Sequence, residues 1–191
     1  GGMPFELWGW NRVLDRLRAV ARRHGIERIW DTEMTYSTYP PEESGIPVRG
    51  LNRTRVDVRP SERQQGDWLT RATLYSLGST FERFYPFHYT PISPFGGYYW
   101  DWGMTRLNHL FTPRPALVAL SVANHFIAGT DRRRPLAVET PDSVWGSIFL
   151  GPSRRVDALW SAVGPQHVMF APGTKAEIYD AMGNPVPLSS Q

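Results

Sequence analysis

The segment Ile29-Trp30-Asp31-Thr32-Glu33-Met34 is apolar where it begins and acidic where it ends. Read as a strand, it puts a carboxylate at a C-terminal edge, where α/β folds gather their reacting and binding groups. Glu33 in that position can act as a nucleophile or carry a proton. The competing reading is an ordinary surface glutamate at a strand end. Other routes to chemistry are closed by the sequence itself. There is no cysteine, which excludes a disulfide scaffold and thiolate-held zinc or iron–sulfur centres. His24, His88, His109, His125 and His167 are scattered, with no pair at the i, i+4 spacing of a helical metal site. No Gly-rich phosphate loop, Walker lysine or Gly-x-Ser-x-Gly elbow occurs.

The stretch Trp30-Asp31-Thr32-Glu33 resembles the seventh strand of retaining glycoside hydrolases of the large (β/α)8 clan that includes β-xylosidases, iduronidases and many β-glucanases. In that family the motif is W-x-T-E and its Glu is the nucleophile. The resemblance continues downstream. Gln65-Gly66-Asp67-Trp68-Leu69-Thr70-Arg71 looks like the helix after the nucleophile strand. Phe84-Tyr85-Pro86-Phe87-His88-Tyr89 is similar to the aromatic-rich eighth strand, and Pro113-Arg114-Pro115-Ala116 to the segment that opens the last helix. The tail ending in Asp180-Ala181-Met182-Gly183-Asn184-Pro185 resembles the β-sandwich that often packs behind such barrels. Order and spacing carry the likeness, rather than any one motif.

The resemblance implies a retaining glycosidase acting on β-linked glycans, with Glu33 as nucleophile; the residues themselves give no reason to expect a cofactor or a metal. It also suggests an extracellular or periplasmic location. Retention needs a second carboxyl group about 5–5.5 Å from the first, with a raised pKa so that it can protonate the leaving oxygen. The family takes that group from a Glu after Asn on its fourth strand, and this chain has no Asn-Glu pair. The expectation is therefore a nucleophile-bearing portion completed by a missing N-terminal half or by a second chain. A non-catalytic carbohydrate-binding or structural protein of the same descent is the alternative, and self-association is a third reading.

Sugar rings present apolar C–H faces that stack on Trp and Tyr. Trp30, Tyr36, Tyr39, Tyr99, Trp100 and Trp102 all fall at strand ends or in loops. Trp30, Tyr36, Trp100, Asp101 and Trp102 are the candidate substrate-binding residues there, each with plain packing as its competing role. His88, near the end of the second strand, joins them as a group that can hydrogen-bond a hydroxyl or orient Glu33. Trp10, Trp68, Trp145 and Trp160 read as core residues.

The elements that must position these groups follow from periodicity. Residues 6–24 carry Leu7, Trp10, Val13, Leu14, Leu17, Val20 and Ala21 at helical spacing, with Gly25 as the stop. The strand around Glu33 follows, then a Pro- and Gly-rich loop over 35–60. Ser61, with Gln64 three residues on, opens a second helix as a capping box, and Gly78 is its expected end. A second strand over 82–89, a second loop over 90–112 and a helix over 115–128 follow. After Gly129 come short β-rich runs at 136–139, 144–150, 155–161, 167–170, 176–179 and 185–188. Alternating helices and strands predict a parallel sheet. The expected architecture is thus α/β plus all-β: a partial (β/α)8 barrel of two to three strand–helix units over residues 1–130, then a small β-sandwich over 131–191.

Composition adds limits. At 191 residues the chain is long enough for a real core but short of the about 250 residues of a whole barrel. No run of 18 apolar residues is present, so no membrane partner is expected. Of the 21 Lys and Arg residues only Lys175 is lysine, and the arginines are spread along the chain apart from Arg132-Arg133-Arg134 and Arg154-Arg155. That distribution argues against a nucleic-acid patch.

Overall fold

Gly25 closes the first helix. It takes φ of +65°, its N–H reaches the Arg22 carbonyl at 3.3 Å, and the Ile26 N–H reaches Ala21 at 2.9 Å. This is the Schellman pairing that a left-handed glycine permits. The computed structural model that shows it describes residues 5–7, 9–36, 60–87, 89–90, 103–106, 110–136, 144–171 and 173–187. A one-turn 3-10 helix, Phe5–Leu7, precedes α1 (Trp10–Arg23). β1 (Trp30–Met34), α2 (Glu62–Ser79), β2 (Arg83–Pro86) and α3 (Pro115–Ile127) follow. The α2 capping box forms as its sequence predicts. The Ser61 hydroxyl accepts from the Gln64 N–H at 3.2 Å, and the Gln64 side chain accepts from the Ser61 N–H at 2.9 Å. Pro115 opens α3 at the position where a helix needs no N–H.

β1 and β2 pair in parallel, with Trp30 opposite Arg83 and Asp31 opposite Phe84. Downstream, β3 (Arg132–Pro135), β4 (Trp145–Leu150) and β5 (Arg155–Trp160) form a separate antiparallel sheet in that order. α2 is the element around which the rest is built, packing against α3, β2, β3 and β4. Two glycines set how closely. A Cβ on Gly66 would lie 3.0 Å from the Ala116 nitrogen, so α3 begins directly against the α2 backbone. A Cβ on Gly78 would lie 2.5 Å from the Ser147 Cβ, so β4 rests on α2 at that point. Gly78 is therefore a contact point within α2, which runs on to Ser79, rather than its stop. Phe5, Tyr75, Trp145 and Trp160 enclose one another at ring separations of 5.5 to 6.5 Å, mostly edge to face. One core thus joins residues from both sides of position 130. Each fully buried Leu or Phe in it contributes about 1.5–3 kcal/mol.

The expected architecture is overturned. The helix–strand alternation is present, but among the described residues it yields two parallel strands and not a barrel slice. The β-rich tail yields one three-stranded sheet and not a sandwich. The runs at 167–170 and 176–179 do not join it; among the described residues a single bridge, Tyr179 to Pro185, forms there. β propensity needs a neighbouring strand to act on, and Met169 at 87% exposed has none. The strand expected at 136–139 lies earlier, at Arg132–Pro135, and residues 137–139 are outside the described ones. The face of α1 is also narrower than predicted. Leu14 and Ala21 are buried and Trp10 packs on the core, but Val13, Leu17 and Val20 remain 46, 37 and 50% exposed. Among the described residues no helix is long and apolar enough to cross a membrane.

Candidate functional site

The strand end around Glu33 is shaped by a bulge. Between Asp31 and Met34, β1 takes three steps while β2 takes two, from Phe84 to Pro86. The extra residue breaks the two-residue alternation and turns a side chain to a new direction, a device often found beside active sites. A carboxylate secures it: the Glu33 N–H donates to Asp31 Oδ1 at 3.1 Å. Beyond the bulge the strands close again, the Phe87 N–H reaching the Met34 carbonyl at 2.8 Å. Glu33 is exposed at this edge, as the sequence predicts, and Asp31 is half-buried. Burial raises the Asp31 carboxyl above its ordinary value; the Glu33 N–H pulls it down and the Glu33 charge pushes it further up.

Trp30 stands at the opposite end of β1 and is half-exposed. Its indole N–H donates to Glu82 Oε2 at 3.0 Å, and the Arg83 guanidinium lies 4.9 Å from its ring centre. Glu82 also meets Arg28 at 3.7 Å, and its carboxyl is lowered, first by the Trp30 hydrogen bond and then by Arg28. One face of the Trp30 ring is thus occupied by a cation, so the residue serves first to brace the two strand starts.

Tyr36 is brought inside rather than to the mouth. It is 3% exposed and packs edge to face on Trp68 at 5.6 Å. Its carbonyl accepts from the Gln65 amide at 2.8 Å. A ring buried under α2 has no face for a sugar, which removes it from the substrate-binding set. His88, Trp100, Asp101 and Trp102 lie outside the described residues, as do Tyr39 and Tyr99. Trp10, Trp68, Trp145 and Trp160 pack on the core as expected.

Several polar residues that hold the structure together were not singled out by their sequence pattern. Asp31 is one, and an acid two residues before Glu33 on a strand was a usable signal. Gln65 is fully buried and its amide spans the Tyr36 carbonyl and the Gly103 carbonyl at 3.4 Å, tying the exit of β1 to a distant segment. Glu62, in the first turn of α2, takes Arg106 at 2.6 and 3.1 Å and the buried Arg114 at 3.2 Å. Glu6 is buried beside the aromatic cluster, where it accepts from the Trp160 indole at 2.8 Å and meets Arg71 at 3.4 Å. Burial raises its carboxyl despite the Arg71 charge.

A shallow concavity of about 270 Å³ lies elsewhere, at the end of β5, lined by Trp160, Ser161, Val144 and Val168. Asp31 and Glu33 do not line it. Among the described residues no cluster of three His, Asp or Glu is arranged to hold a metal ion. In comparisons with known proteins, no family model, no curated protein and no solved structure matches the chain.

Proposed function

We propose that the bulged end of β1 is the nucleophile site of a retaining glycosidase acting on β-linked glycans, with Glu33 as the nucleophile. The observation that supports this reading is the exposed Glu33 carboxylate at the C-terminal end of a parallel strand, on a bulge secured by Asp31. In the reaction, a Glu33 oxygen bonds to the anomeric carbon as the bond to the leaving oxygen breaks. An acid protonates that oxygen. Water then attacks the glycosyl ester, passing its proton to the same group, now a base, and Glu33 leaves as a carboxylate. In this reading a missing N-terminal half or a second chain supplies the acid/base. Asp31 is a positioning residue, because its oxygen holds the Glu33 amide.

The test is covalent trapping of the full protein with aryl 2-deoxy-2-fluoro-β-xylosides and -glucosides, followed by peptide mapping. The expected result is a glycosyl adduct on Glu33 that Glu33→Gln abolishes with its melting temperature unchanged. A label on another carboxylate, or turnover of an aryl β-glycoside undiminished in Glu33→Gln, overturns the assignment.

A further inference from the structure

α1 shows two apolar edges where its own fold uses one. Trp10, Leu14 and Ala21 face the core, and Trp10 and Arg18 hydrogen-bond to Ser76 and Thr80 of the α2 end. Val13, Leu17 and Val20 form a second row, separated by four and three residues and left open. That spacing is the seam of a two-helix coiled coil. In heptad positions Val13 and Val20 are d, Leu17 is a, and Arg16 and Arg23 are g. The e positions are Leu14 and Ala21, which are 0% and 4% exposed against the chain's own core. Arg12 lies on the same flank as Arg16 and Arg23. All three are exposed, and among the described residues none makes an ion pair. α1 carries five arginines against one acid, Asp15.

We infer that this edge of α1 is a docking strip for an amphipathic helix of another protein, one that carries Asp or Glu beside its apolar seam. Charge decides the occupant. A second copy packed antiparallel would set Arg16 and Arg23 against the same arginines. Packed in parallel, it would need the e positions, which the core already fills. An antiparallel helix with acidic g positions sets them against the arginine row and gains from the charge that repels a second copy. An anionic lipid surface also matches the charge. However, the open row holds only two valines and a leucine, with none of the Trp or Phe that seats an interfacial helix. The inference stands independently of the glycosidase reading.

The test uses fluorescein-labelled, lactam-stapled three-heptad peptides with Leu at a and d, and with Glu or Lys at every e and g. Fluorescence anisotropy against the full protein should show the Glu-edged peptide binding at least about tenfold tighter than the Lys-edged one. Arg16→Glu/Arg23→Glu should invert that preference, and Leu17→Asp should abolish binding of both, with circular dichroism melts unchanged. Equal binding of the two peptides, or none, overturns the proposal. So does a charge reversal without effect. A dimer in sedimentation that Leu17→Asp dissociates would assign the strip to a second copy. Co-sedimentation with phosphatidylserine vesicles that the same change removes would assign it to a membrane. Either result also overturns it.

Discussion

Asp31 and Glu33 are joined through the backbone: the carboxylate of one accepts the amide hydrogen of the other at 3.1 Å, across the residue that β1 has in excess of β2. The bond uses one oxygen of Asp31 and leaves the Glu33 carboxylate exposed. A change at Asp31 therefore acts on where Glu33 sits. Asp31→Asn keeps an acceptor oxygen, and Asp31→Ala does not. Trapping at Glu33 should stay near the wild-type rate in the first and fall by about 10–100-fold in the second. Equal losses in both would mean that the Asp31 charge matters and the bond does not.

Glu6 gives a pH signature. Burial raises its carboxyl, so the folded chain holds a proton at pH values where an ordinary glutamate, near 4.5, has lost it. The folded state binds more protons than the unfolded state in that window, so stability falls as pH rises through it. Glu6→Gln keeps an oxygen for the Trp160 indole and carries no charge. Urea unfolding should show the variant equal to wild type below the window and more stable above it. A variant less stable at neutral pH would show that Arg71 outweighs burial.

Gly78 has no room for a methyl group, because Ser147 of β4 occupies the space. Gly78→Ala should cost about 1–3 kcal/mol by overpacking, although alanine is the better helix former. Adding Ser147→Gly should recover part of the loss. Thermal melts of the two single variants and the double variant decide the matter.

Glu62 neutralises Arg114, which is 1% exposed in its side chain. Glu62→Ala takes a carboxylate from that buried guanidinium, which keeps its bond to the Gly103 carbonyl, and should cost about 3 kcal/mol. Arg106→Ala removes the more exposed partner, 42% open, and should cost about 1 kcal/mol or less. Urea midpoints in reversed order would locate the dominant pair at Arg106.

What local chemistry dictates was legible in advance. The three helices, the Ser61–Gln64 box and the Gly25 stop follow from spacing and caps over a few residues. Glu33 at an exposed strand end follows from the polarity of six residues. The rest depends on partners far along the chain. The bulge exists only against β2. Tyr36 is buried because α2 crosses above it, and Gly78 reads as a helix stop until β4 is placed on it. The barrel expectation failed for the same reason: alternating helices and strands set the handedness of a pair, but not how many strands assemble. The tail shows that a β-rich composition does not form a sheet without strands to pair with.

The Glu6–Trp160 bond spans 154 positions, and it has a consequence for the order of events in the cell. That bond waits until β5 has been made, roughly 8–30 s after Glu6 at about 5–20 residues per second. Closing so long a loop puts much of the aromatic core among high-contact-order pairings, which form slowly. During that interval Phe5 and Tyr75 lack the indole partners that later cover them, Trp145 and Trp160. Until then those two rings present an uncovered apolar face, which closes only when the second indole arrives.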